Sequence, residues 1–324
     1  MTSYAMYRLP HSRQIVKISQ TEGLPEELHS YRELNGRSGF VFAPFCVSTS
    51  CPVLLIKPDI TETMPAPECL YTPSPCAPQR HTDSRERDVY ASDFVAFNDA
   101  LQSGRFEKLV LARSSRVKCE HHAQPEQLFI KACRLYPRMF VALVSTPQGG
   151  TWLMATPEIL LSGDAPVFST MALAGTMRLD DSQLGFDTPG NSAGDNTIEW
   201  DDKNRREQEY VAAYIRNRIG SLAYNISRKG PYTARAGRLV HLRTDFTFTL
   251  DDMNILGDVI DCLHPTPAVC GIPKDEARDF IMSHESEERG YYSGFSGPLH
   301  PDGETRLFVS LRCMSIGDDG YRPS

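Results

Sequence analysis

No stretch of the 324 residues approaches the ~20 consecutive apolar residues that a bilayer-spanning helix needs, so no membrane association is expected. The N-terminal stretch "MTSYAMYRLPHSRQIVKIS" lacks the unbroken apolar core of a signal peptide, which makes the cytoplasm the expected compartment. Positive charge is scarce: 34 Lys and Arg stand against 41 Asp and Glu, a formal net charge of −7. That balance argues against a broad nucleic-acid footprint. The nine cysteines are odd in number, and none are paired as C-x-x-C. A zinc ribbon or a full disulfide framework is therefore not expected, and reduced thiols fit better. No internal repeat recurs at a fixed period.

What is present is ordinary globular composition, with 40% hydrophobic and 23% charged residues. The length exceeds that of a usual single core, so two lobes or two domains are expected. In residues 1–57, "GFVFAPFCVS" and "CPVLLIKP" read as strands. Residues 58–88 carry six prolines and read as a loop or linker. The expected division is an N-terminal lobe with its Pro-rich linker (1–87) and a second region (88–324). Helices are expected in "DVYASDFVAFNDALQSG" (face Phe94, Phe97, Leu101), in "PEQLFIKACRLYP" (face Leu128, Ile130 or Lys131, Leu135) and in "WDDKNRREQEYVAAYIRNRIGSLA". The last of these has the stripe Val211, Tyr214, Ile215, Ile219 and Leu222. Two more helices, "NILGDVIDCLHP" and "KDEARDFIMSHE", precede two strands around "PDGE". Strands cluster between helices rather than alternating with them, which indicates α+β with substantial antiparallel sheet.

Four groups could carry chemistry. In "RFEKLVLARSSRV", Lys108 stands at the mouth of an apolar strand, Leu109–Ala112. Most strand-end charges are simply solvated, but apolar walls can turn a lysine into a base. Glu158, in "ATPEILLSG", sits where a proline breaks a strand run. It is either an exposed turn residue or a carboxyl aimed into a cleft; a base and an acid on opposite sides suffice to add one group and expel another. Glu207 precedes Val211 by four residues and so extends the inward stripe of its helix, where it needs a cation, a metal or a donor. Magnesium suits an oxygen ligand, whereas the helix dipole alone also favours a first-turn glutamate. Glu209, further round the helix, is expected to pair with Arg205. Gly-rich turns beside hydroxyls or charges form the last group: Gly175 and Thr176 in "LAGTMR", Gly294 and Gly297 in "YYSGFSGP", His241 and Thr244 in "HLRTD", and Arg312 in the apolar "SLRC". Such turns let amides, hydroxyls and a guanidinium reach a carboxylate. "CLHPTPAVCGIPK" adds a stiff loop in which His264 ends a helix.

Taken in order, "FEKLVLAR", "ATPEILL", "LAGTMR", "DKNRREQEYV", "LVHLRTD", "LHPTPAVCGIP", "ERGYYSGFSG" and "LFVSLRC" resemble the chorismate-utilising enzymes. These are the isochorismate, salicylate, anthranilate and aminodeoxychorismate synthases. The resemblance spans roughly residues 88–314 and is strongest to isochorismate synthase. Ala174 stands where aminodeoxychorismate synthases look like "IKGT", and "PTPAVCGIP" stands where amine-using members look like "SGAPK".

The resemblance implies a fold of two packed, largely antiparallel sheets with helices outside and the site between them. It also implies a magnesium-dependent isomerase, feeding menaquinone or siderophore synthesis, that acts as a monomer on the small molecule chorismate. Lys108, neutral through desolvation, matches the water-activating base, and Glu158 matches the acid that protonates the leaving C4 hydroxyl. Glu207 matches a magnesium ligand. Gly175, Thr176, Thr244, His264, Gly297 and Arg312 match substrate-contacting positions. Gln208 stands where the family often carries His. Family members continue after "LRC" into a Gly-rich strand and a helix resembling "E-W-x-E-T-x-x-K". Here twelve residues without Glu or Lys follow Arg312, so that strand and helix are expected to be lacking. Salicylate synthase, and a non-catalytic chorismate-binding chain, are the alternatives.

Overall fold

The computed structural model describes residues 2–67, 84–118, 124–180, 198–236, 239–317 and 320–323. The expected loop at 180–198 lies almost wholly outside them. In chain order, β1 (Ser3–Arg8), β2 (Gln14–Gln20), β3 (Glu26–Leu28), β4 (Gly39–Ala43), β5 (Val53–Ile56) and β6 (Ile60–Pro65) come first. Helix α1 (Ser84–Gln102) leads to the two-residue strands β7 (Lys108–Leu109) and β8 (Val117–Lys118), then to α2 (Pro125–Leu135). Next are β9 (Phe140–Thr146), β10 (Gly150–Thr156), β11 (Ile159–Asp164), β12 (Val167–Arg178), α3 (Asp202–Ile219), β13 (Tyr224–Ala236) and β14 (Leu239–Thr249). The chain then forms α4 (Leu256–Leu263), β15 (Gly271–Ile272), α5 (Lys274–His284), β16 (Phe295–Leu299) and β17 (Glu304–Val309). Strands β18 (Cys313–Gly317) and β19 (Gly320–Pro323) occupy the stretch after Arg312.

The strands make an eight-stranded sheet, β6-β2-β1-β9-β10-β18-β19-β8, and a nine-stranded one, β13-β14-β12-β11-β17-β16-β4-β5-β3. The two-residue strands β7 and β15 pair separately. Residues 1–57 enter both large sheets: β1 pairs with β9, while β4 pairs with β16. The period of two along β4 shows how the layers stack. Phe40 and Phe42 join Tyr7, Phe140 and Phe308 between the sheets. Val41 and Ala43 point the other way, into a core shared with α3 and α4. On the far face of the eight-stranded sheet, α2 buries Phe129, Ala132 and Cys133. The α+β architecture of two packed antiparallel sheets with outer helices is thus observed.

Several local expectations are corrected. The α2 face runs through Phe129, Ala132 and Cys133, and Leu135 is exposed. In α1, Phe97 is buried, but Phe94 is exposed. Part of the Pro-rich stretch, Ile60–Pro65, is an edge strand on β2, as a strand ending in proline can be. The Leu109–Ala112 strand shrinks to β7: the Val110 amide still donates to the Cys270 carbonyl (2.8 Å), and beyond it side chains take over. The Ala112 amide donates to a carboxylate oxygen of Glu285 (2.9 Å), and Arg289 donates to the Val110 carbonyl (2.6 Å).

Helix α3 starts where Asp201 accepts the Asn204 amide (2.8 Å), an N-cap that satisfies an otherwise unpaired donor. Arg216 and Arg218 in its last turn complement the dipole. Helix α4 stops at His264, because Pro265 has no amide hydrogen with which to continue it.

Candidate active site

Lys108 meets a carboxylate rather than apolar walls. Its Nζ lies 2.8 Å from Glu207 Oε1, with the two side chains 16% and 33% exposed. The expectation of a lysine neutralised by apolar surroundings is corrected to an ion pair linking β7 to α3. The stripe of α3 that packs inward is Gln208, Val211, Ala212, Ile215 and Ile219. Glu207 is therefore at the rim of that stripe, about 100° from its centre line, which lets it face Lys108. Glu209 pairs with Arg228 on β13 (3.0 and 2.6 Å), not with Arg205, because the adjacent strand offers a fork that binds both its oxygens.

Glu158 lies in the turn between β10 and β11 and is 3% exposed, so it is not a solvated turn residue. Its amide donates to Thr156 Oγ1 (3.2 Å) and its carbonyl accepts the Val309 amide (3.0 Å), which fixes the backbone. The carboxyl accepts one hydrogen bond, from Thr266 Oγ1 (3.1 Å). Burial pushes its pKa up to about 7, against the opposing pull of the Thr266 hydroxyl and the Lys108 charge. The Lys108 charge thus acts on Glu158 across the same space.

The β12–β14 pairing slips by one residue between Ala174 and Thr176, and the extra residue is Gly175. Gly175 has φ +67°, and a Cβ there would meet Asn204 of α3 at 3.1 Å. The Thr176 amide donates to Asn204 Oδ1 (3.2 Å), and the Thr176 hydroxyl lies 3.1 Å from His241 Nδ1. The His241 pKa is lowered, chiefly by burial, with the positive charge of Arg312 contributing. Thr244 is buried against Gln208 of α3. Arg312 stands between β17 and β18 with φ +47°, not within a strand, and its carbonyl accepts the Ala155 amide at 3.4 Å.

These links gather Lys108, Glu158, Glu207, Gly175, Thr176, Thr244 and Arg312 around the start of α3 and the ends of β10 and β12. Two predicted residues have separate structural duties. His264 is buried between the rings of Tyr31 and Phe295, its Nε2 3.2 Å from the Phe45 carbonyl. It also lines a cavity of about 550 Å³ with Lys274 and Arg278. Burial, helped by the Lys274 charge, pushes its pKa down to about 3. It connects to the site through Thr266, two residues on. Gly297 sits within β16 at φ +142°, where a Cβ would fall 2.0 Å from the Arg306 carbonyl of β17; strand crowding accounts for the glycine.

Thr266 and Asn204 were not singled out from the sequence, and Gln208 only as a departure from the family's His. Thr266 lay inside the quoted Pro-rich loop, and Gln208 precedes Val211, Ala212 and Ile215 by three, four and seven residues, a readable stripe. Glu207 offers one oxygen set to a cation, and among the described residues no group of three His, Cys, Asp or Glu gathers as a metal cage. One carboxylate still fits magnesium, which commonly takes one or two carboxylates and completes its shell with substrate and water oxygens.

The half-buried Lys108, the buried Glu158 carboxyl, the Gly175–Thr176 bulge and Arg312 thus lie in one region of the fold. A model of the chorismate binding enzymes matches residues 61–322. This chain belongs to that family. It is 29% identical over 231 residues to the salicylate biosynthesis isochorismate synthase of Pseudomonas aeruginosa, covering 71% of this chain and 46% of the relative. It is likewise 29% identical over 228 residues to isochorismate synthase MenF of Escherichia coli, covering 68% of this chain and 50% of the relative. The chain spans about half the length of these curated relatives. The crystal structure of a 2,3-dihydroxybenzoate-specific isochorismate synthase, DhbC, from Bacillus anthracis superposes with a TM-score of 0.81. That match has 20% identity and covers 99% of this chain and 87% of that one, which establishes the shared fold.

Proposed function

We propose that this chain carries an isochorismate synthase site, an isomerase that converts chorismate to isochorismate. The observation that carries the reading is Glu158: a carboxyl buried in the fold, pushed up to about 7 by that burial and within reach of the opposing Lys108 charge. It can hold a proton at neutral pH and give it up in a reaction. In the proposed reaction Lys108 Nζ leaves Glu207 Oε1 and gives up its extra proton to solvent as the substrate enters; the neutral amine then takes a proton from water as the water oxygen bonds to C2. The ring double bonds shift, the C4–O bond breaks, and the Glu158 proton goes to the departing hydroxyl, which leaves as water. One water enters and one leaves, so the product is an isomer. Thr266 holds the Glu158 carboxyl in place throughout.

Glu207 would hold Mg²⁺. When bound, the ion would neutralise the substrate's ring carboxylate. Arg312, Thr176 and Thr244 would bind substrate oxygens. The cytoplasm, and service to menaquinone or siderophore synthesis, belong to the same proposal; the menaquinone route is supported by the shared fold of the menaquinone-specific isochorismate synthase MenF of Escherichia coli.

The test is incubation of the purified chain with chorismate and Mg²⁺ and chromatography of the products, beside Glu158→Gln and Lys108→Ala. Isochorismate is expected from the parent chain, with each variant slower by at least about a hundredfold. Failure of the parent chain to form isochorismate, or formation of salicylate and pyruvate in its place, would overturn the reading.

A further inference from the structure

Gln208 is 1% exposed and makes three hydrogen bonds. The Ala174 amide donates to its Oε1 (2.9 Å). Its Nε2 donates to the Ala172 carbonyl (3.1 Å) and to Thr244 Oγ1 (3.0 Å). The orientation of this amide is not free. A backbone N–H can only donate, so the oxygen must face Ala174, and the Ala172 carbonyl can only accept, so the nitrogen must face Ala172. Both Nε2 hydrogens are then spent, one on Ala172 and one on Thr244.

Thr244 is therefore an obligatory acceptor toward Gln208. Its own hydroxyl hydrogen must point elsewhere, and among the described residues it has no acceptor. Thr244 is 0% exposed, so bulk water does not satisfy it. A buried donor without a partner is costly, which points to an oxygen supplied by a ligand. Gln208 follows Glu207 on α3, so Thr244 is bonded to the helix turn that also carries the Lys108–Glu207 pair.

We propose that Gln208 is a positioning residue that fixes the polarity of Thr244, locking its hydroxyl as a hydrogen-bond donor to a carboxylate or hydroxyl oxygen of the substrate. This rests on the chorismate reading above. Two backbone groups of β12 hold Gln208, so the setting does not depend on the ligand being present. The same two bonds clamp the strand on the N-terminal side of the Gly175 bulge, while Asn204 clamps it on the other side at Thr176. Replacing the amide by a carboxylate inverts the arrangement. In Gln208→Glu the side chain can only accept, so it draws the Thr244 hydrogen to itself and leaves a lone pair facing the substrate anion.

The experiment is a double-mutant cycle on chorismate affinity, read by calorimetric titration of the whole chain with Mg²⁺ present. Thr244→Val should weaken binding about tenfold, the loss of one hydrogen bond to a charged oxygen, whereas Thr244→Ser should stay within about threefold of the parent. Gln208→Glu should weaken binding at least as much as Thr244→Val. Adding Thr244→Val to Gln208→Glu should then cost less than about threefold, because the hydroxyl has already been turned away. Gln208→Met, which removes every hydrogen bond at similar volume, provides a second cycle that must also be non-additive. It decides the matter if Gln208→Glu does not fold by circular dichroism. Additive losses in the cycle, with the parent chain binding chorismate, would overturn the role of Gln208 alone. A folded parent chain that does not bind chorismate would overturn the functional reading and this proposal with it.

Discussion

Glu158 illustrates how a single buried group ties the chemistry to the stability of the fold. Its ordinary value of 4.5 is pushed up to about 7 by burial, so between those values the folded chain holds a proton that the unfolded chain has released. Its contribution is fully present below about pH 4.5 and is lost as pH rises through about 7. Glu158→Gln removes the titration, so its stability relative to the parent should improve by up to about 3 kcal/mol between pH 4.5 and pH 8. Thermal melts of both proteins across that range check this, and parallel stability curves would contradict it. His264 tilts the parent the other way. Its value, pushed down from 6.5 to about 3, makes the unfolded chain the better proton acceptor, so its contribution is full above about 6.5 and fades as pH falls. The optimum of Glu158→Gln should accordingly lie at higher pH than that of the parent. At this scale the charged residues were legible in the sequence, because a Lys or Glu flanked by apolar runs is conspicuous. Thr266 was not, and Gln208 stood out only as a departure from the family pattern, since an amide or hydroxyl acquires its role only from the strand or turn folded against it.

At the scale of elements, two glycines that look alike in sequence separate. Gly175 occupies a bulge where an added Cβ meets a side chain, Asn204, at 3.1 Å. Gly297 occupies a central strand where the Cβ would meet the Arg306 backbone carbonyl at 2.0 Å. Gly175→Ala should therefore fold with a penalty of roughly 1–2 kcal/mol from its left-handed backbone and lose chorismate affinity as the Thr176 amide shifts. Gly297→Ala should cost at least ~3 kcal/mol, because only backbone movement relieves the clash. Urea titration and calorimetry on the two variants distinguish these outcomes.

The stretch that carries Lys108 is held in a comparable way by a helix end. Arg289, 2% exposed in its side chain, pairs with Glu285 and donates to the carbonyls of Val269 (2.7 Å) and Val110 (2.6 Å). Arg289→Met leaves Glu285 as an uncompensated buried charge, so a loss of about 3–5 kcal/mol is expected in denaturant titration. The sequence periodicities located every α-helix of the described residues, but not that side chains of Glu285 and Arg289 would bind the backbone of Ala112 and Val110. Register of that kind depends on residues ~175 positions apart in sequence.

The whole molecule is locked by residues shared between the sheets. Phe140 of β9 stacks on Phe308 of β17 at 4.2 Å, and Tyr7 of β1 lies 5.5 Å from Phe40 of β4. Because β1 and β2 belong to one sheet and β3, β4 and β5 to the other, the first 57 residues cannot leave without opening both. The length of the chain suggested two lobes, since an alternating apolar pattern records that a strand is buried without recording which sheet receives it. The intersheet packing predicts one cooperative unfolding transition. The two tryptophans report on it separately, Trp152 in the intersheet core and Trp200 in a cluster with Leu179, Val240 and Leu242 at the end of the larger sheet. With Trp152→Phe and Trp200→Phe each leaving one reporter, fluorescence and circular dichroism should trace coincident urea transitions. Phe308→Ala should move both together by about 3–5 kcal/mol, the cost of truncating a buried aromatic. If the Trp152 signal moved while the Trp200 signal stayed, the sheets would be separable units and this account of the core would be wrong.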